Sequence, residues 1–111
     1  MRDSVLELQE QLQEHHAAVL SELRYPSPRN TEAILAFTKR IAPSSNRLII
    51  LEARIADEEL TTRVKEFRAI AADAVNPWIP SAPPIEVDLM CASLEMAFRS
   101  AIARTQVLLQ N

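Results

Sequence analysis

His15 and His16 are the chain's two histidines and Cys91 is its one cysteine. Any soft-metal or nucleophilic chemistry must start from these three side chains. Neighbouring residues on a helix point about 100° apart, so His15 and His16 are poorly placed to share one ion. A carboxylate-bridged metal bundle needs inward Glu-x-x-His pairs. The positions three residues earlier hold Leu12 and Gln13, and the motif fails for both. His15 falls on an apolar stripe, where the expected role is a satisfied core histidine rather than a ligand or a pH switch. Cys91 follows Met90, has no histidine near it in sequence, and reads as a small buried apolar residue. No catalytic set, metal or cofactor is expected.

The remaining polar residues have structural readings. Asp57, Glu58 and Glu59 form a short acidic run, with Arg54 and Arg63 four residues from Glu58 and Glu59; this is the spacing of helix-surface ion pairs. Ser44 and Ser45 read as caps. The chain contains no glycine. That removes the Gly-x-Ser-x-Gly elbow, phosphate loops and dinucleotide fingerprints, all of which need glycine's backbone freedom. It also makes a meander of tight hairpins improbable.

The stretch NPWIPSAPP, residues 76–84, holds four of the seven prolines and the only tryptophan. Pro80-Ser81-Ala82-Pro83 matches the minimal PxxP pattern, but no arginine flanks it closely. The stretch reads better as a stiff strap between helices. Trp78 then either folds back as a plug over the bundle end or anchors an interface, a role in which tryptophan is enriched.

Net charge is −3 and the pI is near 5.4, which disfavours a dedicated nucleic-acid binder. The distribution is uneven. Residues 1–23 carry five acids and one arginine; residues 24–54 carry six basic residues and two acids. Arg29, Lys39, Arg40, Arg47 and Arg54 either complement the acidic first helix or contact an acidic partner. No apolar run approaches the roughly 20 residues of a membrane span. The first residues lack the apolar centre of a secretory signal, and a lone cysteine needs no oxidising compartment. The expected location is cytoplasmic.

These residues must be carried by helices. With 111 residues, 48% apolar and rich in Leu and Ala, the chain can form one all-α domain with one modest core. A first helix is expected over about 3–24, with Val5, Leu8, Leu12, His15, Val19 and Leu23 on one stripe. A short second helix is expected from Pro28 to Ala42, capped by Ser27 and ended by Pro43. A third runs from the PSSN cap to about Val75. Its stripes, Leu48-Leu51-Ile55 and Leu60-Val64-Phe67-Ala71-Ala74, are separated by a five-residue step. Either Asp57 caps a new helix there, or one long helix changes partners; without Pro or Gly at the step, the long helix is favoured. A fourth is expected over about 84–109, with Val87, Met90, Leu94, Ala97, Ala101, Thr105 and Leu108 in series and Leu89, Met96 and Ala103 widening its apolar surface. The fold predicted is an antiparallel up-down bundle of four helices.

A second helix half as long as the third would leave stripe unpaired. The expected function is therefore a non-enzymatic interaction module: an adaptor or chaperone-like protein, or one subunit of a homo- or hetero-oligomer. Val5, Leu8, Leu12, Val19, Leu23, Leu60, Val64, Phe67 and Trp78 are the expected protein-interface residues. The alternative is a small regulator that contacts nucleic acid or an acidic partner through the basic 24–54 segment.

Overall fold

The computed structural model describes residues 2–26, 30–74 and 84–110. Four helices run α1 Arg2–Arg24, α2 Thr31–Ile55, α3 Glu58–Ala74 and α4 Pro84–Gln110. Each packs on the next, and α1 closes the ring against α4. This is the predicted all-α, up-down bundle, with extents of 45 × 27 × 17 Å. No helix among the described residues is long and apolar enough to cross a membrane. The expected cap Ser27 and the expected first helical residue Pro28, together with Arg29, Trp78 and most of the 76–84 strap, lie outside the described residues.

The α1 stripe is buried as spaced: Val5, Leu8, Leu12, His15, Val19 and Leu23 all face inward. Leu48, Leu51 and Ile55 meet it from α2, Leu60, Val64, Phe67 and Ala71 from α3, and Cys91, Leu94, Ala97 and Ala101 from α4. Thr105 is the polar member of the α4 face. Its hydroxyl donates to Ile102 O at 2.5 Å and accepts from Gln9 Nε2 at 2.9 Å, so its burial leaves no orphan group.

The helix boundaries differ from expectation in two places. Pro43 does not end a helix; it sits inside α2. Its ring cannot donate to the Lys39 carbonyl. Both residues lie on the exposed side of the helix, where water can take the orphaned carbonyl. Nor does one long helix cross Asp57. α2 ends at Ile55 because Ala56 adopts the left-handed conformation, φ 57° and ψ 34°, while its N–H still reaches Glu52 O at 3.1 Å. Glycine normally fills such a position; here alanine does. Asp57 then caps α3, its Oδ2 accepting from Leu60 N at 2.9 Å. At the other end of α2 the cap is Asn30, whose side chain accepts from Ala33 N at 2.8 Å.

These corrections give helices of 23, 25, 17 and 27 residues. The short second helix and thirty-residue third helix do not exist, so the expected mismatch between them goes; the remaining difference is that α3, at 17 residues, is shorter than α4, at 27.

Candidate functional site

Three places in the bundle bring chemically capable side chains together. The first is a polar layer at mid-height. His15 on α1 lies 2.9 Å from Ser44 Oγ on α2, and both are buried. Ser44 already donates to Ile41 O at 3.0 Å. With that proton on Ile41 O, the Ser44 oxygen is left to accept from His15 as its Nδ1–H tautomer. A serine nucleophile needs the opposite polarity, with the hydroxyl donating to the imidazole. The pair is a buried tie between α1 and α2.

His16 stacks on Phe98 of α4, centroids 4.4 Å apart and planes 13° from parallel. Phe67 of α3 meets both imidazoles edge-on, at 5.8 and 6.3 Å. Burial pushes both histidines below their ordinary pKa. Arg68 adds to the effect at His15, and Glu95 opposes it at His16. His16 Nε2 is buried without a hydrogen-bond partner among the described residues. Beside the layer, Arg68 forks onto the buried Glu52 carboxylate at 2.9 and 3.1 Å and ties α3 to α2. Among the described residues no group of three His, Cys, Asp or Glu side chains could hold a metal. Cys91 is a buried free thiol on the core face of α4.

The second place is a charged groove between α1 and α2. Arg40, Arg47 and Arg54 repeat every seven residues along one edge of α2, facing the acidic side of α1. Arg47 forks onto Glu7, with its Nη2 2.8 Å from Oε1, and that hydrogen bond holds the Glu7 carboxyl below the usual range. Arg54 acts on the same carboxylate through space. Arg40 lines the groove opposite Glu14 and lies 5.1 Å over the Phe37 ring. Lys39 is exposed on the outer face of α2. Three of the basic candidates thus face the chain's own acids. A related cluster closes the α2–α3 turn. Arg104 of α4 forks onto Asp57 at 2.9 and 2.9 Å and reaches Glu59 at 3.2 Å, which lowers the Asp57 pKa, as does the Leu60 backbone N–H. Arg63 pairs with Glu59 at 2.6 Å, but the break separates Arg54 from Glu58.

The third place is the outer surface. Val5, Leu8, Leu12, Val19, Leu23, Leu60, Val64 and Phe67, the expected interface residues, are at most 8% exposed. The chain's own helices cover them, and a partner of the folded bundle must meet other residues. The outward faces of α1 and α3 are mainly polar, with Leu6 on α1 the one large apolar side chain exposed among their described residues. Asp3, Glu10, Gln13 and Glu14 line one, and Glu58, Glu59, Lys65, Glu66 and Asp73 line the other. α2 and α4 differ. On α2, Leu35, Lys39, Ala42, Asn46, Ile49 and Ala53 follow a 4-3-4-3-4 spacing, and all but the half-buried Ala42 are exposed. On α4, Leu89, Ser93, Met96, Ser100, Ala103 and Val107 repeat that spacing without a charge. Leu89 is 64% and Met96 72% exposed.

The wide apolar surface of α4 was visible in Leu89, Met96 and Ala103. The α2 stripe spans Pro43, so a helix ending at that proline does not reveal it. No protein-family model matches the chain, and no curated protein and no solved structure matches it.

Proposed function

We propose that this chain is a non-enzymatic interaction module, an adaptor or chaperone-like bundle or one subunit of an assembly, and that it meets partners through the outer stripes of α2 and α4. One observation carries the reading. α2 and α4 each hold several large apolar side chains in water, at coiled-coil spacing, while α1 exposes one, Leu6, on a mainly polar face and α3 exposes none. A helix that is apolar on more than one face is normally a buried one; α1 and α3 cover the inner face of α4, while Leu89 and Met96 on its outer face stay exposed. Exposed apolar patches, where contiguous, mark interaction surfaces.

The buried reduced thiol of Cys91 is compatible with a cytoplasmic setting, which belongs to the same proposal. The alternative through the basic segment gains no support, because Arg40, Arg47 and Arg54 face Glu7 and Glu14.

The test compares the wild-type chain with an Ile49→Glu/Met96→Glu double variant. Both positions are exposed, so the fold should survive, as far-UV circular dichroism would verify. The wild type should hold a second copy or a stoichiometric different protein, measured by light scattering alone and after mixing with native extract. The double variant should hold neither. A double variant that retains the same partner refutes the reading, as does a wild type that binds nothing.

A further inference from the structure

Resting on that reading, we infer that the outer stripe of α4 is a self-recognition seam, and that its occupant is α4 of a second copy running antiparallel. The stripe spans 89 to 107, about 27 Å of helix. Antiparallel pairing about a two-fold axis beside residue 98 sets Leu89 against Val107 of the second copy. The same register sets Ser93 against Ala103 and Met96 against Ser100. Each layer then joins a larger side chain to a smaller one, or two small ones, as close helix packing requires. Parallel pairing would instead set Met96 on Met96 and each serine on its own mate, with crowding in one layer and voids in the next.

Charge agrees with the antiparallel register. Glu95 and Arg99 flank the seam and pair within one helix at 2.9 Å. In the dimer, Arg99 of each copy comes within about one helical turn of Glu95 of the other. The two arginines near the axis are thus bracketed by two carboxylates, and the patch is neutral. On the other flank Arg104 is already matched by Asp57 and Glu59. A single helix seam lies at the small end of specific interfaces. The dimer should therefore be a weak one, at the transient end of specific association.

Sedimentation from a few micromolar to several hundred micromolar tests the seam. The wild type should rise from 12.5 kDa towards twice that mass. Met96→Glu should stay at one chain throughout, and Ile49→Glu, on the α2 stripe, should dimerise as the wild type does. A nitroxide on Leu89→Cys should report about 30 Å or more between copies, against about 10 Å for a parallel pair. A wild type that stays monomeric overturns the inference, and so does a Met96→Glu variant that still dimerises. An Ile49→Glu variant that does not dimerise, or a short label distance, overturns it as well. A monomeric wild type that holds a different protein through the outer stripes would end the self-pairing and leave the wider reading standing.

Discussion

His15 and His16 are neutral in the folded chain because burial disfavours their charged forms. Unfolded, each titrates near the ordinary 6.5. Below that pH the unfolded chain binds more protons than the folded one, and linkage favours unfolding. The histidine contribution is thus complete above about pH 7 and is lost as pH falls from 6.5 through the lowered folded values. Glu7 and Asp57 also have lowered folded values, from 4.5 and 3.8. Their contributions outlast the first loss and disappear at more acid pH. Denaturant titrations at pH 7.5 and 5.5 should show a clear drop for the wild type and a much smaller one for His15→Asn/His16→Phe. Equal drops would assign the effect elsewhere. Ala56 offers a second test at this scale. A left-handed alanine is strained by its Cβ, and glycine is free of that cost though more flexible when unfolded. Ala56→Gly should raise stability by about 0.5–1 kcal/mol in urea, unless the turn relaxes at no cost in the native chain.

Among the elements, α2 shows what a sequence reading weighs wrongly. Inside a helix, proline removes one hydrogen bond and crowds one carbonyl. Whether that ends a helix depends on whether water can reach the damaged side, and residue spacing alone does not reveal exposure. Here Leu48, Leu51 and Ile55 fix the later turns against α1, while Asn30 caps the start, so the helix continues through Pro43. The break at Ala56 was legible as a five-residue step between stripes. The absence of glycine argues against a break there, yet Asp57 offers both a cap and a carboxylate for Arg104. If Pro43 is tolerated at a cost, Pro43→Ala should restore the bond to Lys39 O and stabilise the chain by about 1–3 kcal/mol. A loss on this substitution would show that the ring contributes contacts the exposed site does not suggest.

At the scale of the molecule, inward faces were legible and outward ones less so. Apolar periodicity identifies which residues share a stripe, but it cannot tell whether the chain's own helices or another chain cover it. The stripes of α1 and α3 are core, and the large apolar side chains left exposed lie mainly on the reverse faces of α2 and α4. Stability is also unevenly spread. Nothing in α2 before Ser44 is buried: Ile34, Phe37 and Ile41 are only half covered, and none belongs to the core cluster. Local opening follows the density of buried contacts. Amide exchange should therefore be at least about tenfold faster over residues 31–42 than over 48–55, although both lie in one helix. Equal protection would mean that the first half is held by contacts outside the core. Faster exchange would place the fraying segment under Leu35 and Lys39 of the outer stripe. A partner that docks there would then order the segment as it binds, and protection of residues 31–42 would rise on complex formation more than anywhere else in the bundle.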